Sequence, residues 1–162
     1  MRKKASIIGA AIIIQIILAG VLIAQDGWEM NIKAKCLNAE NRLVIGQRAD
    51  ASDVIDGRYD VPALLSNGLI KAYIDLEGKQ YWKDIKKTCN GPCSKTLNID
   101  VECEDLGEII ELSWGPVNIP GNTRLILIDK GTGKAIDMNL EPYAYTYKNP
   151  GRRELIVEVQ KW

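Results

Sequence analysis

Apolar and polar residues alternate with a period of two along most of the chain that follows the N-terminal segment. Between Trp28 and Cys36 every second residue is apolar, and the residues between them are polar or charged. This period is typical of a half-buried β-strand, because successive side chains of a strand point to opposite faces. The same pattern predicts further strands at 42–46, 69–75, 97–103, 109–114, 124–129, 135–138, 143–147 and 154–159.

Turn signals separate these predicted strands. The segment 130–134 contains two glycines, which supply the positive φ angles that a tight hairpin needs. Prolines, glycines and asparagines at 120–122 and 149–151 mark further turns. Short strands at this spacing predict an all-β fold, an antiparallel sandwich of two sheets packed around one core. Trp114 is expected in that core, and the aperiodic stretch 50–66 is expected to be a loop across one edge of the sandwich.

The N-terminal segment differs from the rest of the chain. Basic residues at positions 2–4 precede a nearly unbroken apolar run from Ala5 to Ala24. This order is an export signal, and about 20 apolar residues also suffice to span a membrane as a helix. Residues 1–25 are therefore predicted to form one apolar helix, either a cleaved signal peptide or an uncleaved anchor that contacts the membrane through residues 5–24. Residues 26–162 are predicted to form a single domain outside the cytoplasm, secreted or held at the cell surface.

A type IV pilin-like filament subunit is a third use of the same N-terminus. Such subunits combine a short basic leader, a long apolar helix and a β domain. The glutamate that usually stands early in that helix is absent from this chain. In this alternative, cleavage directly after Lys4 or Ala5 would leave the apolar helix on the mature protein.

Composition and charge exclude several classes of function. The chain has 21 basic residues, 21 acidic residues and no histidine. The absence of histidine excludes any catalytic triad that contains one and removes the commonest metal ligand. Without the basic residues at 2–4, 18 basic residues remain against 21 acidic ones, so nucleic acid is not an expected partner. No nucleophile stands beside a recognisable base, and the domain is predicted not to be an enzyme.

The chain contains four cysteines, an even set that is typical of disulfides in an exported domain. We expect one bond between Cys89 and Cys93, which closes a short loop, and one between Cys36 and Cys103, which joins two strand ends. The alternatives are a zinc site of four cysteines and a redox-active pair. Both favour two residues between paired cysteines, whereas three separate Cys89 from Cys93.

Several segments of the chain together carry a family resemblance: Glu111–Trp114 with Pro116, Leu127–Met138, the tyrosine-rich strand that follows, Arg153 and Leu155, and upstream Leu43–Gly46 and Tyr59–Pro62. In these segments the chain resembles the immunoglobulin-like or fibronectin type III modules of secreted bacterial surface proteins. The resemblance covers residues 28–162. It implies a β-sandwich module that serves cell-surface structure, adhesion or assembly through contacts with surface or envelope proteins. The cysteines are not part of it, and the module here stands alone behind a leader.

An acidic run in the aperiodic stretch is the candidate metal site. It consists of Asp50, Asp53, Asp56 and Asp60. Several carboxylates in an irregular loop provide the oxygen ligands that calcium prefers, although the spacing differs from that of an EF-hand. Aspartate is also a common turn residue because its side chain caps nearby backbone N–H groups. Calcium is the one cofactor for which the sequence offers candidate ligands.

Aromatic residues provide a candidate binding surface. Tyr143, Tyr145 and Tyr147 lie on one face of a predicted strand, and Tyr81 is followed directly by Trp82. Exposed aromatic rings stack against sugars and suit protein interfaces. These residues therefore predict an alternative function, a carbohydrate-binding module with glycans as partners. Tyrosine and tryptophan also pack across sheets inside a core, and alternation alone does not distinguish the two faces.

Overall fold

The described part of the chain is built from β-strands. A computed structural model of the protein describes residues 27–64, 68–115, 118–140 and 144–162. No helix occurs in these ranges, in agreement with the predicted all-β class, and nothing in them could cross a membrane as a helix. The predicted N-terminal helix at 1–25, whether signal peptide, anchor or pilin-like shaft, lies outside the described residues.

Eleven strands follow one another in the described residues, and nine of them overlap a segment of alternating residues. Their bounds are β1 (Gly27–Cys36), β2 (Ala39–Arg48), β3 (Val61–Pro62), β4 (Ile70–Leu76), β5 (Lys79–Lys87), β6 (Cys93–Cys103), β7 (Ile109–Trp114), β8 (Thr123–Asp129), β9 (Lys134–Asp137), β10 (Ala144–Lys148) and β11 (Arg152–Lys161). Neither β3 nor β5 is predicted by the alternation. In β5 the only large apolar residues are Tyr81, Trp82 and Ile85, which leaves no visible period of two.

The strands join into one continuous hydrogen-bonded sheet, in the order β10-β7-β1-β2-β5-β4-β6-β11-β8-β9, with β3 paired to β5. All pairs are antiparallel except β2 and β5, which run parallel from Val44 beside Lys83 to Arg48 beside Lys87. The predicted purely antiparallel arrangement is therefore wrong at this pair. One mixed ladder stands where two separate sheets were expected, because β5 pairs with β4 at its start and with β2 at its end.

The sheet curls into a half-barrel that encloses one core. Tyr145 of β10, at one end of the ladder, donates a hydrogen bond of 2.6 Å to Asp129 of β8 near the other end, so the two ends meet. The alternating apolar residues of β1, β6 and β11 fill the enclosed space. Trp114 lies in this core, 3 % exposed, and its indole N–H donates to the carbonyl of Met138 at 3.1 Å.

Two of the predicted connections help to position the sites described below. The segment 130–134 joins β8 to β9 as an antiparallel hairpin, with Gly133 at a φ of +70°. The stretch 50–66 contains β3, which pairs with β5, and otherwise forms turns in its described part. This stretch therefore lies along β5 instead of crossing a sandwich edge.

Candidate functional site

A groove on the outer face of the sheet surrounds Trp82. It has a volume of about 390 Å³ and is formed where β2, β4 and β5 meet beside the segment that follows β3. The side chains that argue for binding are Asn41, Arg42, Leu64, Lys71, Gln80 and Trp82. We refer to this site as the Trp82 groove.

The change of partner along β5 creates the groove. Tyr81 lies opposite Ile74 of β4, whereas Lys83 lies beside Val44 of β2, so Trp82 stands between the two ladders. The start of β2 diverges from β5 at this point. Its Asn41 side-chain oxygen accepts the N–H of Ala72 in β4 at 3.3 Å, in place of a ladder hydrogen bond. An outward-facing Trp82 is therefore left above a depression in the sheet.

The alternation within β4 and β5 determines which aromatic residue faces the solvent. Trp82 is 39 % exposed, whereas its neighbour Tyr81 is 7 % exposed and belongs to the core. Tyr73, which also lines the groove, is buried and its hydroxyl donates to the carboxylate of Glu102. Burial, and then this hydrogen bond, raises the pKa of Tyr73 above its ordinary value. Of these three aromatic residues, Trp82 is the one whose ring is exposed to solvent.

The groove combines apolar surface with positive charge. Leu64 is 89 % exposed at its rim. Arg42 forms an ion pair with Glu40 at 2.7 Å, and Lys71 has no ion-pair partner among the residues that the structure describes. No acidic side chain lines the groove within those residues. The site is therefore suited to an apolar group accompanied by a negative charge.

The acidic run divides among separate partners. Asp50 accepts a hydrogen bond of 2.5 Å from the hydroxyl of Tyr59 and forms an ion pair with Arg48 at 3.3 Å. Asp53 instead forms an ion pair with Lys95. These contacts tie the loop to the sheet and direct the two carboxylates to different neighbours.

The other two residues of the acidic run cap backbone groups. Asp60 accepts the N–H of Asp56 at 2.5 Å and the N–H of Ile85 at 3.1 Å, and Asp56 accepts the N–H of Arg58 at 2.9 Å. Within the described ranges, no three acidic, histidine or cysteine side chains converge as metal ligands. The geometry supports the turn-forming interpretation of these aspartates, and calcium binding stays a prediction.

A buried carboxylate that the sequence did not single out lies beside this loop. Asp84 of β5 is 0 % exposed, and neither of its oxygens has a hydrogen bond among the described residues. The ammonium of Lys86 lies 3.0 Å from one of them as an ion pair. Burial raises the pKa of Asp84 to about 6, Lys86 opposes the shift, and the neighbouring Asp60 adds to it.

The tyrosine row of β10 faces inward. Tyr145 and Tyr147 are each 7 % exposed and belong to the core, while Tyr143 lies outside the described residues. The expectation that this row presents exposed rings is therefore wrong for the two described tyrosines. The curl of the sheet brings β10 close to β8 and β11, so the face of β10 that carries these tyrosines is covered. The alternation in the sequence does not show which face of β10 is covered.

These tyrosines surround a second buried carboxylate, Asp129. Its oxygens accept hydrogen bonds from the Tyr145 hydroxyl at 2.6 Å, the N–H of Gly131 at 2.8 Å and the guanidinium of Arg153 at 3.2 Å. Burial alone would raise the pKa of Asp129, but these donors and the side chain of Thr132 lower it overall. A Cβ at position 131 would lie against the guanidinium of Arg153, which would have to shift from its place beside Asp129. By joining β10 to β8, the cluster holds the two ends of the curled sheet together.

The four cysteines form two pairs of different kinds. Cys89 and Cys93 are joined by a disulfide, as expected from their spacing. Cys36 and Cys103 are buried thiols whose side chains are within hydrogen-bond contact. Burial, and then the contact with Cys103, raises the pKa of the Cys36 thiol to about 12. The predicted bond between Cys36 and Cys103 stays a prediction.

Sequence reasoning found Trp82 but missed the residues around it. Asn41, Arg42, Leu64 and Lys71 are distant in sequence and are brought together by the parallel pairing of β2 and β5. The one available signal was the polar residue on each side of the Tyr81–Trp82 pair, which is compatible with an outward-facing ring. No family model, curated protein or solved structure matches this chain.

Proposed function

We propose that this chain is an exported, non-catalytic β domain that contacts a protein partner at a cell surface through the Trp82 groove. The observation that carries this proposal is that one groove is lined by a partly exposed Trp82, exposed Leu64 and Lys71, whose ammonium has no ion-pair partner in the described part of the chain. Tryptophan and arginine are enriched among the residues that dominate binding energy at protein interfaces. Arg42, which also lines the groove, supplies such a guanidinium.

The shape and charge of the groove define the partner. A volume of about 390 Å³ accommodates a few side chains, so the groove suits a short segment of the partner and not a broad flat surface. An apolar side chain would pack on Trp82 and Leu64. A neighbouring carboxylate would pair with Lys71, because charge-assisted hydrogen bonds are the stronger ones. The expected ligand is a peptide segment with adjacent apolar and acidic residues.

Two further features support an exported surface module. The basic and then apolar N-terminus is an export signal, and a disulfide such as Cys89–Cys93 persists in an oxidising compartment. The curl of the sheet places strands on both sides of one core, which supports a description related to an immunoglobulin-like or fibronectin type III sandwich. The pilin-like alternative depends on residues 1–25 and stays a prediction.

Carbohydrate binding at the same groove is the second candidate function. The amide side chains of Asn41 and Gln80 line the groove together with Trp82. An aromatic ring with planar polar groups beside it is a suitable surface for a sugar, which has an apolar face and hydroxyl groups at its edge. Of the aromatic residues singled out in the sequence, Trp82 is the one that keeps this role in the described structure.

A peptide library and a glycan array distinguish these functions. The full-length protein, held in lipid nanodiscs, is screened against random short peptides and against the array. Peptide ligands that share adjacent apolar and acidic residues are expected. Truncating Trp82 to alanine should weaken their binding roughly 30-fold, the effect of a dominant interface residue.

Trp162 provides the matched control. It is also a tryptophan and is 64 % exposed, but it does not line the groove. Trp162→Ala is expected to leave peptide affinity unchanged. Glycan binding that depends on Trp82 would favour the second candidate, whereas ligands insensitive to Trp82→Ala, or none in either screen, would refute the groove as the binding site.

A further inference from the structure

The half-barrel has two ends of different character, one of which bears the start of the described chain. We call this the Gly27 end. Gly27 lies opposite Arg48, and the N–H of Thr88 donates to the Arg48 carbonyl at 3.0 Å. The disulfide loop follows directly, since Cys93 lies opposite Lys161 and the Lys161 ammonium donates to the Cys89 carbonyl at 2.8 Å.

Apolar side chains are exposed at both ends, Leu37, Leu106 and Ile109 at the far end and Trp162 and Val54 at the Gly27 end, so the Gly27 end is distinguished by its tryptophan and by its place in the chain. Trp162 follows Lys161 and is 64 % exposed. Its backbone N–H donates a hydrogen bond of 3.2 Å to the Asn122 carbonyl, which holds the residue in place. Val54 is 70 % exposed in the loop whose Ser52 carbonyl accepts the N–H of Lys87 at 3.1 Å. Neither side chain belongs to the hydrophobic core, and both are exposed to solvent.

Two acidic residues near the Gly27 end are ion-paired with basic neighbours. Asp50 forms ion pairs with Arg48 and Arg58, and Asp53 forms one with Lys95. The other two aspartates of the loop, Asp56 and Asp60, accept hydrogen bonds from backbone N–H groups.

The opposite end, which we call the Leu37 end, is acidic. Cys36 at the end of β1 lies beside Ile110, and Glu104, Asp105 and Glu108 are exposed nearby. β1 has 10 residues, so the two ends are roughly 30 Å apart. This cluster of exposed acidic residues is therefore at the end of the domain that is distant from Gly27.

Chain length limits how far the Gly27 end can be from a membrane. Two residues, Gln25 and Asp26, separate the apolar run that ends at Ala24 from Gly27. Three steps between neighbouring Cα atoms reach at most roughly 11 Å. The headgroup layer on one side of a bilayer is roughly 5–8 Å thick. If residues 5–24 span the membrane, Gly27 has to lie within or directly above the headgroups.

We infer that the Gly27 end rests on the lipid headgroups of a membrane, with Trp162 seated in the interfacial layer and the acidic Leu37 end turned away. This inference rests on the proposed export, with residues 5–24 kept as the membrane span. Tryptophan is enriched at membrane interfaces because its ring is apolar and its N–H can still reach water or headgroups. The arrangement leaves the Trp82 groove on the side of the domain, accessible to a partner.

Fluorescence quenching in vesicles tests this orientation. The full-length chain is reconstituted into phosphatidylcholine vesicles that contain lipids brominated near the top of the acyl chain. Bromine quenches the fluorescence of nearby tryptophan, and Trp162 is expected to lie near the bromine atoms in the interfacial layer. The loss of emission caused by the brominated lipid should therefore be about twofold smaller in Trp162→Phe than in the unchanged protein. Trp82→Phe is the control and should leave the quenched part unchanged.

A second measurement is independent of tryptophan. Val54→Cys and Ile109→Cys place a spin label at the Gly27 end and the Leu37 end, and both native side chains are exposed. A paramagnetic lipid headgroup should relax the label at 54 and not the one at 109. Chain that fails to float with the vesicles would overturn the retained anchor and this inference together. Chain that floats while Trp162 stays unquenched, or while both labels relax alike, would overturn the orientation alone.

Discussion

Asp84 and Asp129 are both completely buried, yet their surroundings shift the pKa of the two carboxyls in opposite directions. Asp129 accepts hydrogen bonds from Tyr145, Gly131 and Arg153. Asp84 instead has the ammonium of Lys86 at 3.0 Å, no backbone or hydroxyl donor among the described residues, and a second carboxylate, that of Asp60, nearby. The comparison teaches that burial does not determine the charge of a group in this protein. Donors aimed at the group determine it.

The largest change in the free energy of unfolding is expected from removing the hydrogen-bonded carboxylate of Asp129. Asp129→Ala should lower the free energy of unfolding by about 3–5 kcal/mol, because it leaves the guanidinium of Arg153 without its buried partner. Chemical denaturation measures the change. Asp53→Ala is the matched control, since its ion pair with Lys95 is exposed and should contribute at most about 1 kcal/mol. Equal losses in the two variants would contradict the structural role of Asp129.

Neutralising the unsatisfied carboxylate should have the opposite sign. The pKa of Asp84 is raised from 3.8 to about 6, so the folded state favours the protonated form. The contribution of this group to stability is therefore complete below pH 4 and is lost as the pH rises through about 6. Asp84→Asn should raise the free energy of unfolding at pH 7 by about 2 kcal/mol, the order expected from the pKa shift.

The pH dependence of the Asp84→Asn variant is the sharper readout. Denaturation curves between pH 4 and pH 7 should show a gain in stability, relative to the unchanged protein, that grows with pH. For Asp129 the direction is reversed, because a lowered pKa stabilises the fold above pH 4 and that contribution is lost on acidification. A constant difference between Asp84→Asn and the unchanged protein across this range would contradict the raised pKa.

A smaller effect is expected from a pair of tyrosine hydroxyls. Tyr145→Phe removes a hydrogen bond to the charged Asp129 and should cost about 1.5 kcal/mol. Tyr147 has a buried hydroxyl with no partner among the described residues, so Tyr147→Phe should be neutral or slightly stabilising. The two tyrosines lie on the same strand, are equally buried and each have a cation over the ring, but only the Tyr145 hydroxyl has a hydrogen-bond partner among the described residues. Thermal midpoints measure both changes. Equal shifts in the two variants would contradict the claim that the hydrogen bond of the Tyr145 hydroxyl stabilises the fold.

The alternation in the sequence predicts much of this fold but not its closure. The strands around Trp28–Cys36 and 97–103 follow directly from the period of two. β5 escapes prediction because Asp84, a charged residue, occupies one of its inward positions. The parallel pairing of β2 with β5 depends on contacts between distant segments, which the local pattern does not contain.

The same limit applies to the candidate site. The sequence places Tyr145 and Tyr147 correctly on one face of a strand, but the curl of the sheet decides that this face is covered. Trp82 is identifiable as a binding residue, whereas Asn41 and Lys71 become its neighbours through tertiary contacts. Asp129 lies where a hairpin begins, so its sequence context indicates a turn and not the centre of a buried cluster.

The central claim, a β domain that works outside the cytoplasm, is tested most directly by the thiols of protein taken from its native cells. The protein is denatured without reductant, alkylated and analysed by mass spectrometry together with its mature N-terminus. We predict that Cys89 and Cys93 remain unmodified because they are bonded in the cell. Alkylation of all four cysteines would show a reducing environment and contradict the account.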